Sequence, residues 1–181
     1  MRAYVNILLV ALAFHAKGNS AFQPGAVVFE SSFDSPAERQ AWQLPDFAKW
    51  AAGYGGTTSL CVTVSLEGSA ETHMIRLPLD LTRHRGCRLL FECMARAENV
   101  SKPPASYLGV KFMLHYQSEM SGPFWQNEND VFGTFDWRRL RFTTLIGDDA
   151  ADGEIFLGLQ GSSGTAWFDA IRITVLKSPP A

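Results

Sequence analysis

The 181-residue chain is 46% hydrophobic and 19% charged with a net charge of −2, the composition of a folded domain and not of a disordered chain. A mildly acidic chain without a basic block is a poor partner for nucleic acid or an anionic membrane surface. The length sets one domain able to bury a core of its own.

The N-terminus has the pattern of an export signal over residues 1–21. Arg2 supplies the positive start, Val5 to Ala13 is apolar apart from Asn6, and Gly18, Ser20 and Ala21 offer a small-residue cleavage site. The run is too short to span a bilayer. Its removal takes Arg2 and Lys17 and no acid, which moves the net charge from −2 to −4. The expectation is a secreted, extracellular or periplasmic protein.

From Phe22 onward the hydrophobic period is two. It predicts strands near 27–29, 59–66, 73–79, 88–96, 107–116, 138–144, 154–160 and 166–176, punctuated by Gly, Pro, Asn and Asp clusters. Helical character is confined to a single turn at Pro36–Trp42. Strands without intervening helices predict an all-β, antiparallel β-sandwich over residues 22–176. The tail 177–181 contains Pro179 and Pro180, which cannot continue a ladder, and reads as the start of a linker. Cys61, Cys87 and Cys93 lack the close pairs of a zinc site. One disulfide and three buried thiols are both compatible with their spacing.

Alternation predicts which faces are wet. Along 107–116, Leu108, Val110, Phe112 and Leu114 form one face, and Tyr107, Lys111, Met113 and His115 the other. The first is expected to meet the core and the second solvent or a ligand.

The order of short motifs resembles the galactose-binding-like jelly rolls, which include carbohydrate-binding module families 4, 9, 16 and 22. The residues that carry this are Phe29-Glu30-Ser31-Ser32-Phe33 followed by Trp42, the glycine turn Gly53–Leu60, Gly133–Trp137 followed by Arg141–Thr144, and the closing stretch Glu154–Ile173. The resemblance implies a jelly roll, polysaccharide targeting, and attachment to a secreted glycoside hydrolase of the cellulase type. It also implies a structural calcium (Ca2+) held by Glu30 and Asp169 with carbonyls of the 55–58 turn, although Ala170 stands where such modules more often have a second Asp.

A sugar surface needs aromatic platforms for the apolar C–H faces of pyranose rings and polar groups for their hydroxyls. Tyr107, Lys111 and His115 at spacing four are expected to share one face, with Glu92 and Arg96 on the neighbouring strand. The loop after Met120 offers Trp125 as the platform, with Gln126 beside it. Trp42, Trp137 and Trp167 read as core covers. No nucleophile elbow, zinc motif or phosphate loop is present, and nothing in the spacing sets two carboxylates across a cleft. The leading expectation is therefore a non-catalytic module that binds a β-glucan-like polysaccharide. The alternatives are a sandwich that packs against a catalytic domain without binding sugar, and a small jelly-roll glycosidase or lyase.

Overall fold

The computed structural model describes residues 21–179; the expected export signal, apart from Ala21, and the last two residues of the tail lie outside them. The elements in order are β1 (Val27–Ser31), α1 (Pro36–Ala41), β2 (Ala48–Ala52), β3 (Thr58–Val64), β4 (Thr72–Pro78), β5 (Arg88–Val100), β6 (Gly109–Ser118), β7 (Gly122–Asn127), β8 (Gly133–Leu145), β9 (Ala150–Gln160) and β10 (Gly164–Lys177). The predicted strands are all present, several of them longer than read. Two were missed. β2 is an Ala-rich segment without alternation, and β7 occupies the stretch after Met120 whose sequence predicts a loop.

The strands form two sheets that pack face to face, the antiparallel jelly-roll sandwich that the period-two pattern predicts. One sheet runs β2-β3-β10-β5-β8, with β1 added beside the second half of β10; the other runs β4-β9-β6-β7. In β5 the buried residues alternate, Leu89, Phe91, Cys93 and Ala95 facing inward. An aromatic group joins the layers: Phe91 stacks on Phe142 at 4.8 Å, and Phe112 of the opposite sheet meets Phe142 at 5.4 Å. Three such rings bury enough apolar area to anchor the core.

α1 is short and locally determined. Ser35 caps it, accepting from the Glu38 amide at 3.1 Å, while the Glu38 carboxylate accepts from the Ser35 amide at 3.4 Å. Trp42 follows and packs edge to face on Phe33 at 5.6 Å, buried as predicted. The cysteines are all free and buried, which resolves the alternative left by their spacing.

Candidate functional site

The outer face of the four-stranded sheet is set by register. His115 of β6 lies opposite Trp125 of β7 and Glu154 of β9, and Met113 lies opposite Asn127 and Phe156. Phe156 in turn lies opposite Arg76 of β4. Directly paired residues in a sheet project to the same side, so these side chains share one surface.

Its centre is a three-ring cluster. Trp125 lies flat on His115, with centroids 3.7 Å apart and planes 16° from parallel, and Phe156 sits 6.0 Å from Trp125. His115 Nδ1 is 2.8 Å from the Phe124 carbonyl oxygen. A carbonyl only accepts, so Nδ1 carries the proton and donates. In the neutral ring Nε2 is then an acceptor, facing the Gln117 amide at 3.4 Å. This fixes the imidazole plane, and the imidazole supports the indole. Trp125 remains 50% exposed, so its outer face is open to a stacking partner. Around it stand the Glu154–Arg76 ion pair at 3.4 Å and exposed Gln117.

The expectation that Lys111 and His115 face solvent is corrected. Lys111 is 1% exposed and His115 8%. β7 is a paired strand, so its Trp125 covers His115, and the Lys111 ammonium is enclosed by the Tyr107 carbonyl and by Asn127 Oδ1 at 2.9 Å. Burial pulls the Lys111 pKa down to about 8. Lys111 is a strut under the surface. It ties the Tyr107 loop to β7, two residues from Trp125. Tyr107 precedes β6 and is 58% exposed, and its carbonyl oxygen also lies 3.5 Å from Asn127 Nδ2, two residues along β7 from Trp125.

Gln126 is corrected as well: it pairs with core-facing Leu114 and so turns away from Trp125. Phe156, Glu154, Arg76 and Gln117 were missed. Phe156 was legible as an aromatic within the apolar run Ile155–Leu159, but nothing in the run told which of its members face outward.

No protein-family model matches the sequence, and no curated protein does. Solved structures do. The chain superposes on the CBM22-1 xylan-binding domain of Paenibacillus barcinonensis Xyn10C with a TM-score of 0.63 at 17% identity, covering 86% of this chain and 98% of that one. The C-terminal family 22 carbohydrate-binding module of Clostridium thermocellum Xyn10B gives 0.59 at 16% identity, covering 87% and 99%. A family 16 module gives 0.52 at 16% identity, covering 73% and 89%. The fold is that of the carbohydrate-binding modules.

Within this module fold Glu92 and Arg96 fall elsewhere. β5 pairs with β10 and β8, not with β6, so both residues lie on the outer face of the six-stranded sheet, across the molecule from Trp125. Glu92 pairs with Arg139 at 3.3 Å, and Arg96 lies 4.6 Å over the Trp167 ring. Trp137 and Trp167 were expected in the core. Both are half-buried instead, and both belong to this outer face; Trp137 meets Tyr54 edge to face at 6.1 Å.

Asp169 is buried beside the Gly53–Thr58 turn, as the resemblance implies, but hydrogen donors surround it. The Tyr54 amide at 2.8 Å and the Thr57 hydroxyl at 2.6 Å donate to Oδ2, and the Ala170 amide at 2.6 Å to Oδ1. Glu30 points to Arg172 at 3.9 Å and is exposed. Donors aimed at the Asp169 carboxylate, with Glu30 turned to Arg172, do not fit calcium, which takes six to eight oxygens. Among the described residues no group of three or more His, Cys, Asp or Glu side chains is placed to hold a metal, and among them no helix is long and apolar enough to cross a membrane.

Proposed function

We propose that this chain is a non-catalytic carbohydrate-binding module that holds a β-linked polysaccharide on the outer face of its four-stranded sheet. The observation that carries the reading is Trp125. A half-exposed indole, backed by an imidazole that is itself hydrogen-bonded in place, offers a rigid platform at little entropic cost on binding. Glu154, Arg76 and Gln117 supply acceptors and donors for ring hydroxyls, and exposed Tyr107 is a second aromatic available to a longer ligand. The fold supports the same reading, since the neighbouring structures include domains described as xylan-binding. Attachment to a secreted glycoside hydrolase would use this affinity to raise the enzyme's local concentration on its substrate.

Affinity electrophoresis and calorimetry against soluble β-glucan, xylan and mannan test it. At least one polysaccharide is expected to bind, and Trp125→Ala to weaken it about tenfold or more, ~1.4 kcal/mol. Failure of all three to bind, or an unchanged affinity in a folded Trp125→Ala variant, defeats the reading.

A further inference from the structure

The opposite face of the sandwich carries a second constellation that the Trp125 surface does not use. Beside the Asp169 turn, Tyr54, Glu92, Met94, Arg139, Ala170 and Arg172 line a cavity of about 370 Å³. Its floor is opened by a bulge. The β10–β5 register shifts between Asp169 and Arg172, and Ala170 sits there at φ 46°. Bulges at such places re-aim side chains, and the methyl of Ala170 leaves room between the flanking groups. Tyr54 is 47% exposed and forms one wall; Trp137 meets it edge to face and holds its plane.

The charge at this face has the opposite sign to the chain as a whole. Register turns Lys49, Arg88, Arg96, Arg139, Arg141, Arg172 and Lys177 to this side, against Glu30, Glu92, Glu98 and buried Asp169, with Asp34 beside the Asp169 turn as a fifth acid, on a chain of net charge −2. Arg139 and Arg172 are well exposed, and each has a single carboxylate partner, at 3.3 Å and 3.9 Å. Exposed ion pairs of this kind contribute little, so either guanidinium can exchange its partner for a ligand carboxylate and meet it in planar, bidentate fashion.

We propose that this cavity is a second sugar subsite, selective for a pyranose that carries a carboxylate: a uronate residue of an acidic polysaccharide. The sugar ring lies against Tyr54, the carboxylate meets Arg139 and Arg172, and Glu92 accepts from ring hydroxyls. The site is on the other sheet from Trp125, and it stands whether or not the neutral-polysaccharide surface does.

The test is an amide chemical-shift titration with tetragalacturonate and with the neutral tetragalactoside of the same linkage, at low and high salt. Expected is binding of the acidic oligosaccharide alone, weakened by salt, with shifts centred on Tyr54 and Ala170. Arg139→Ala and Tyr54→Ala should each weaken it about tenfold, while Trp125→Ala should leave it unchanged. Both substituted side chains are exposed, and the amide spectrum itself reports that each variant is folded. The proposal is overturned if the acidic oligosaccharide does not bind, if the neutral one binds equally well, or if Trp125→Ala abolishes the binding.

Discussion

Lys111 is a cation held where water scarcely reaches, and the Tyr107 carbonyl and Asn127 Oδ1 are what its ammonium has in place of a hydration shell. Burial lowers its pKa to about 8 from an ordinary 10.5. The sign follows from proton counting. Between those two values the unfolded chain holds the Lys111 proton and the folded chain has released it, so stability gained from this site rises as pH rises through that window. Below about 8 both states are protonated and the desolvation cost is felt in full. Chemical denaturation at a series of pH values should therefore show wild-type stability gaining on Lys111→Met above pH ~8, by up to about 1.4 kcal/mol per pH unit; parallel profiles would refute the buried, depressed lysine. At this scale the sequence told which side of β6 each residue takes. It did not tell that the Lys111 side is covered, because the cover is Trp125 on another strand, and period two records alternation and not what lies on top. Gln126 shows the converse: in a loop it would stand beside Trp125, but adjacency along a strand puts the two on opposite faces.

Strand pairing decides the rest of the site. The run from Arg88 to Arg96 was legible as a strand, but its partners were not. β5 crosses to the six-stranded sheet and joins β10 and β8, so Glu92 and Arg96 belong to the arginine-rich face. Such crossings depend on long-range packing that a local pattern does not encode. β7 escaped notice because it opens Gly-Pro and mixes polar and aromatic residues without an apolar stripe, and it is held by pairing to β6. The close fit between strands is testable at Gly158, where β9 passes between β4 and β6. Its φ is 153°, and a Cβ there would stand 2.1 Å from the His73 carbonyl oxygen. Gly122, at the β6–β7 turn, also has positive φ, at 78°, but has open space around it. Gly122→Ala then meets only backbone strain, ~1 kcal/mol, whereas Gly158→Ala adds a clash with backbone and should cost about 3 kcal/mol or more. Equal losses in urea unfolding would show that the β4–β9 contact is not tight.

The molecule as a whole is held by its core and not by cross-links. The sandwich is legible because both of its inner faces repeat the same alternation, whereas the spacing of the three cysteines does not give their partners. All three are free and buried, and burial raises each thiol pKa, most of all at Cys93. A thiol reagent attacks the thiolate, so the native protein should react only through opening, and the order of reaction should follow depth. Cys61 is on the outer face of the six-stranded sheet, opposite Trp167, outside the main apolar cluster, with Lys49 and Arg96 near enough to favour its thiolate. Cys93 is inside the cluster between the sheets. Local opening of an outer layer needs less free energy than loss of the core, so Cys61 should label first in the native state and Cys93 only at the rate of global unfolding. Mass spectrometry after timed alkylation reads this order directly, and three equivalents should react once the chain is denatured. A reducing agent should leave the thermal midpoint where it is. A midpoint that falls on reduction, or Cys93 labelling ahead of Cys61, would mean that the core is not packed as this fold requires.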